Sequence, residues 1–266
     1  MRKTRRAVKE KDISTGAKSV IEHLEELRKR IIVSLISFVS LFVVLICLPG
    51  FAFADSYGIR IMRLIQSYML NNIKTFPPLN LVFLDPLEPV FTVMKLSSLV
   101  SLIALAPLFI YQIYAYVKPA FAKKTENYLS VLIIGVMLFF VFGAVFSFCF
   151  LIPASFDVLI RFGLSAGAVP FLSMGKFFDM FLWMFLLFTL PFEMPVLIGV
   201  LSKAGIINGK MLSKIRKPVY LGLVVFSAAV TPDPTIFSMS ILSVLLIILF
   251  EFGVILSHFF KKGETT

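Results

Sequence analysis

Residues Phe177–Leu201 read FFDMFLWMFLLFTLPFEMPVLIGVL, an apolar run interrupted by Asp179 near its start and by Glu193 within Pro191-Phe192-Glu193-Met194-Pro195. About 20 such residues in a helix cross the hydrocarbon of a bilayer, so the run reads as a membrane span. On insertion scales a charged residue at a helix centre costs roughly 2.5–3.5 kcal/mol, and such residues mark pathways, relays or polar contacts. Glu193 is therefore the first candidate functional residue. The prolines on either side remove backbone donors and loosen the helix where the carboxylate sits.

Five more apolar runs lie around it: Ile31–Pro49, Pro89–Val117, Tyr128–Pro153, Pro218–Val230 and Thr235–Phe260. The composition agrees, with 59% hydrophobic residues, 30 Phe and a mean hydropathy of +0.95. A soluble domain of 266 residues has no core large enough for that much apolar surface. The reading is an all-α, polytopic membrane protein with six transmembrane helices, the fifth and sixth short or partly short. Pro218–Val230 would be about 20 Å long as a helix, so on length alone it is re-entrant or crosses a thinned bilayer. Residues 1–30 form a basic tail and juxtamembrane helix, 31–260 the transmembrane domain and 261–266 a second tail.

Lys and Arg set the orientation, because they are retained on the cytoplasmic side of membrane proteins. Ten precede the first run. Lys118, Lys123 and Lys124 follow the second; Lys203, Lys210, Lys214, Arg216 and Lys217 follow the fourth; Lys261 and Lys262 close the chain. The opposite side holds Arg60, Arg63, Lys74, Arg161 and Lys176, while Lys95 lies inside the second run. This asymmetry places both termini in the cytoplasm and favours a crossing by the fifth run. The net charge of +11 is thus accounted for by anionic lipids rather than nucleic acid. Ala52-Phe53-Ala54 has the form of a signal-peptidase site, but the basic segment before it and its apolar core are both long for a signal peptide.

Catalytic signals are poor. His23 and His258 are the two histidines, no HExxH occurs, and Asp179 has no second aspartate at matching depth. Cys47 and Cys149 lie in apolar runs without metal spacing. No enzyme chemistry, metal or cofactor is expected. The Ser and Thr residues within spans read as helix-packing groups. The two halves carry no matched pair of broken helices, which weakens an inverted-repeat transporter.

Ser19–Arg30 reads SVIEHLEELRKR. Ser19 and Glu22 have capping-box spacing, so a helix is expected to start there. Val20, Leu24, Leu27 and Ile31 share one face, as in an amphipathic helix running into the first span. Glu25–Lys29 and Glu26–Arg30 are i, i+4 pairs in the favourable order. One reading is a solvated, internally paired helix. The other is an acidic spot at the membrane surface that receives a ligand's arginines in bidentate fashion.

His23-Leu24-Glu25-Glu26-Leu27-Arg28 resembles the amino-terminal signature of the TatC family, the multispanning receptor subunits of the twin-arginine protein translocase. Further matches follow in order: Lys95, Ala106-Pro107, Tyr111–Ala120, Phe192-Glu193-Met194-Pro195-Val196, Thr231-Pro232-Asp233-Pro234 and Leu249-Phe250-Glu251. Together they cover roughly residues 19–260. The resemblance implies a cytoplasmic site for twin-arginine signal peptides of folded cargo, formed by the amino-terminal region and the second-to-third loop. Glu26, Arg28, Tyr116 and Glu126 are the residues it points to. The family's loop acid falls where this chain has Thr125, with Glu126 one residue later. The family's glutamine after the last turn is absent from Phe237-Ser238-Met239. The resemblance also implies single-span partner subunits of the TatA/TatB type, contacted in the membrane through Glu193 and Glu251, assembly into oligomers, and export driven by the protonmotive force. A receptor of this kind is expected to be a concave, lipid-open bundle. The alternative, a proton-coupled secondary transporter using Glu193, Glu251 and Lys95, expects a sealed polar cavity at the midplane.

Overall fold

A computed structural model describes residues 2–48, 56–73, 81–117, 126–167, 171–203, 207, 209–231 and 236–262, with side chains given outside 2–23, 117, 126–132, 203, 210, 237–238 and 259–262. The Ala52-Phe53-Ala54 motif, Thr125 and Pro232–Pro234 lie outside the described residues.

The chain is helical almost throughout. Helix α1 (Arg2–Cys47) runs without a break through the basic segment into the first span. The expected start at Ser19 is therefore a correction: no proline interrupts residues 2–18, and their Lys, Arg, Ala and Glu residues favour helix. Helix α2 (Tyr57–Asn72) lies between the first two spans, capped by Ser56, whose Oγ accepts from the Ile59 amide at 3.4 Å. Its buried residues Gly58, Met62 and Met69 fall on one face and pack on the second span. A side chain at Gly58 would collide with Ser97 and Val93 of that span.

The second apolar run is two helices, α3 (Glu88–Ala104) and α4 (Ala106–Val117), with axes bent by 50°. Pro107 is the cause: it supplies no amide and its ring excludes the carbonyl four residues back. The third run also departs from expectation. Helix α5 (Glu126–Phe146) continues through a wide π-helical turn at Ser147–Leu151 into α6 (Ile152–Ser165). Pro153 was expected to end the span. The wide turn instead absorbs the missing proline amide, with the Ile152 amide donating to the Ser147 carbonyl. Cys149 sits in this turn, and both cysteines are free.

The fourth run forms α7 (Met174–Thr189), a 3₁₀ turn at Leu190–Glu193 and α8 (Met194–Lys203). Here the proline expectation holds. Pro195 cannot donate to Pro191, and the Met194 amide closes a tighter bond to the Pro191 carbonyl instead. Helix α9 (Gly209–Lys214) leads into α10 (Arg216–Val230), and α11 (Ile236–Lys262) completes the chain. Helix α10 has 15 residues, about 22 Å. Helix α11, read as short or partly short, has 27 residues. Leu24–Cys47, Ile133–Ser165, Met174–Ser202 and Met239–His258 are each long and apolar enough to cross a membrane, and bent α3–α4 makes a fifth such span. With α10, packed against α11, the chain makes six helical passes.

The main core lies between α2, α3, the α5–α6 junction and α7. Phe156 and Phe177 meet with ring centroids 4.8 Å apart, and Phe148 stands edge-on to Phe181 at 6.2 Å. A second cluster of Ile198, Leu212, Phe250 and Val254 joins α8 and α9 to α11. The helices meet closely at Gly253, where a Cβ would lie 2.6 Å from Ile198 Cδ1 and 3.2 Å from the Pro195 Cα. Two short parallel strands, β1 (Leu81–Val82) and β2 (Leu172–Ser173), pair Leu81 with Leu172 and Val82 with Ser173, tying two inter-span segments together.

Candidate ligand and partner sites

The first candidate site lies where α1 meets α4. Glu26 and Arg30 are one turn apart, and Arg30 directs Nε (3.1 Å) and Nη2 (2.5 Å) to Oε1 of Glu26. Its third nitrogen, Nη1, donates to Oε1 of Gln112 on α4 at 3.2 Å. Arg30 is the more covered partner, its side chain 23% exposed against 38% for Glu26. Beside this pair opens a groove of about 510 Å³, lined by apolar side chains such as Leu27, Ile31, Leu35 and Phe109, with Arg30, Gln112 and Tyr116 at its edge. Two of the expected residues, Glu26 and Tyr116, thus converge on one end of the α1–α4 contact. Arg28 is exposed, outside the groove lining. Glu126 is the first residue of α5, and its side chain lies outside the described set.

Sequence reasoning paired Arg30 with Glu26 but did not give it a place in the site, and it missed Gln112. The Glu-to-Arg spacing predicts the first contact. The contact 82 residues away depends on the tilt between α1 and α4, which the sequence does not display.

The second site is Glu193. Both carboxylate oxygens are buried and make no hydrogen bond among the described residues. A buried polar atom without a partner costs about 1–3 kcal/mol. The neighbouring Phe192 is locked into the bundle, edge-on to Phe142 and Phe146, while a side chain at Gly143 would overlap its ring. The helix face that flanks it is open: Leu190 is 60% and Leu197 55% exposed, about one turn before and one after. Glu193 as a residue is partly exposed beside that face, although both its oxygens are covered.

Nearer the start of the same helix, Asp179 pairs with Lys95 of α3 at 2.5 Å, each side chain 49% exposed. Leu182, Trp183 and Leu186 join them around a cavity of about 350 Å³. Lys95 and Asp179 had been noted separately. Nothing in the sequence signals that they meet.

Glu251, expected to contact a partner, is engaged within the chain. Tyr220 donates its hydroxyl to Oε1, and Arg216 Nη2 lies 3.1 Å from Oε2. The contact joins α10 to α11 and gives this carboxylate what Glu193 lacks. Ser227 and Ser243 meet a little farther along the same two helices, the packing role expected of in-span hydroxyls.

The fold and these sites define an integral membrane protein, six-pass and helical almost throughout, with an apolar groove edged by polar side chains at a helix junction and, among the described residues, a buried carboxylate without a hydrogen-bond partner. The family model described as Sec-independent protein translocase protein (TatC) matches residues 22–245, and the chain belongs to that family. It is 29% identical over 236 residues to the Sec-independent protein translocase protein TatC of Aquifex aeolicus (strain VF5), spanning 88% of this chain and 92% of that protein. It is 31% identical over 246 residues to the protein of the same name from Escherichia coli (strain K12), spanning 92% and 90%. A crystal structure of the twin arginine translocase receptor TatC superposes with a TM-score of 0.72 at 27% identity, covering 90% of this chain and 99% of that one.

Proposed function

We propose that this chain is the receptor subunit of a twin-arginine translocase and binds the signal peptides of folded cargo at the α1–α4 junction. The observation that carries the reading is the Glu26 carboxylate, which already holds a guanidinium at the edge of an apolar groove. Arginine is the side chain best suited to a carboxylate, through its planar fork of donors. A peptide with two arginines followed by an apolar stretch matches both parts of this end of the molecule. Glu126, at the start of α5 where the loop that the family resemblance points to ends, supplies a second acid.

Glu193 serves assembly in this reading. A single-span partner helix with a polar side chain at matching depth would satisfy the orphaned oxygens, and the open face around Leu190 and Leu197 leaves room for it. Glu251, already paired, contributes by holding α10 on α11. Both termini lie in the cytoplasm, where the basic segments meet anionic lipid. Export draws on the protonmotive force, and no catalytic residue is assigned. The proton-coupled transporter is not favoured, because the chain belongs to the translocase family and the helix face beside Glu193 is open.

The test is a binding titration of purified protein with a labelled twin-arginine peptide. Glu26→Ala should lose at least most of the binding while folding normally. Wild-type affinity in that variant would remove the assignment.

A further inference from the structure

We propose that Arg30 is the resident occupant of the ligand's guanidinium site: it holds Glu26 in the free receptor, yields it to an arginine of the incoming peptide, and stays berthed on Gln112. The inference rests on the reading of Glu26 as a peptide-binding acid.

The geometry has three parts. Arg30 places two nitrogens on the same carboxylate oxygen of Glu26, at 3.1 and 2.5 Å. That end-on arrangement is less favourable than a fork in which two nitrogens meet two oxygens. A ligand guanidinium is not confined to the same helix one turn away, so it is free to take the better approach. Second, the remaining Arg30 nitrogen bonds Gln112 of α4 at the groove's edge, a contact that does not use Glu26. Displacement therefore does not strand the guanidinium against the apolar wall, where an unpaired charge is costly. Third, Glu26 is the more exposed member of the pair, so the ligand reaches the carboxylate before it meets Arg30.

The free site is thus never an empty acid at the membrane surface. It is occupied by a weak internal competitor, which lowers affinity for every cationic ligand by a common factor. Discrimination between arginine and lysine stays with Glu26, since the contact broken is the same whichever ligand arrives.

The experiment measures binding of two fluorescent peptides, one with an arginine pair and one with a lysine pair, to full-length protein in lipid nanodiscs. Arg30→Gln should tighten both by about twofold to fivefold, the range for a part-exposed ion pair, with their ratio unchanged. Arg30→Lys should fall between wild type and Arg30→Gln. Gln112→Leu changes no charge but removes the berth, and should weaken binding by a similar factor. Opposite signs from two substitutions in one contact are not produced by general loss of folding. In a Glu26→Ala background, Arg30→Gln should give no gain. A gain there would mean that Arg30 repels cations without competing for Glu26, and would overturn the proposal. So would unchanged or weaker binding by Arg30→Gln, or unchanged or tighter binding by Gln112→Leu. If Glu26→Ala alone binds the arginine peptide as wild type does, the underlying reading of the site fails instead.

Discussion

Lys95 Nζ lies 2.5 Å from Asp179 Oδ1, linking the second and fourth spans through two charges 84 residues apart. Each side chain is half exposed on a face that the fold turns away from its core. At membrane depth neither charge is tolerated well alone. Replacing either, as Lys95→Met or Asp179→Leu, should destabilise the protein by about 1–3 kcal/mol, because the survivor is left unpaired. The double variant should be less destabilised than the sum of the two. Reversible unfolding in mixed micelles provides the cycle, and strictly additive losses would show that the pair is not coupled.

Glu88 fastens the two-strand pairing on another side of the molecule. Ser173 donates its hydroxyl to one carboxylate oxygen, and the Leu84 amide donates to the other at 2.8 Å. These bonds, Ser173 foremost, hold the Glu88 carboxyl below the usual carboxylate range. A folded value below the unfolded one means that the ionised form favours the folded state. The contribution is present above the unfolded carboxyl pKa, about 4.3, and is lost as pH falls through the lower, folded value. Amide exchange at Val82 and Ser173 should therefore quicken in acid, and Ser173→Ala should remove much of that pH dependence. An identical profile in the variant would show that the hydroxyl is not the cause.

Glu193 separates hydrogen bonding from charge. Glu193→Gln keeps the first and removes the second, while Glu193→Ala removes both. Export should largely survive Gln. Ala should weaken contact with a partner helix by about 1–2 kcal/mol, the scale of an interhelical hydrogen bond, and leave signal-peptide binding intact. A photocrosslinker at Met194 reads the partner contact directly. Inactivity of the Gln protein at normal abundance would point to a titrating carboxylate and restore the proton-coupled alternative.

Topology is tested by reporter fusions. Those after Gly209 and Lys262 should report cytoplasm, and one within Thr75–Asp85 the outside. An external carboxy terminus would mean that α10 does not cross, despite its 15-residue helix packed on α11.

The spans were legible because apolar length is a local property, and Glu193 because a carboxylate stands out within an apolar run. Proline was read correctly at Pro191 and Pro195 but not elsewhere. Pro153 was taken for a span end, whereas a wide turn carries the helix past it. Pro107 was noted without the 50° bend that it makes. The helix at Tyr57–Asn72 carried its own signal in Gly58, Met62, Ile65 and Met69, spaced one face apart, yet its segment was read only as an external connection. What stayed hidden were contacts set by the mutual tilt of distant helices: Arg30 with Gln112, Lys95 with Asp179, and Glu251 with Tyr220 and Arg216. A one-dimensional pattern reports which face of a helix is polar, but not what that face will meet.

The central claim is that Glu26 receives the arginines of a signal peptide. The most direct measurement is photocrosslinking from a probe next to the arginine pair of a cargo signal peptide, in membranes containing wild-type or Glu26→Ala protein at equal abundance. The account predicts a strong adduct in wild type and its loss in the variant, with Glu193→Ala crosslinking as wild type does. Undiminished crosslinking to Glu26→Ala would contradict it.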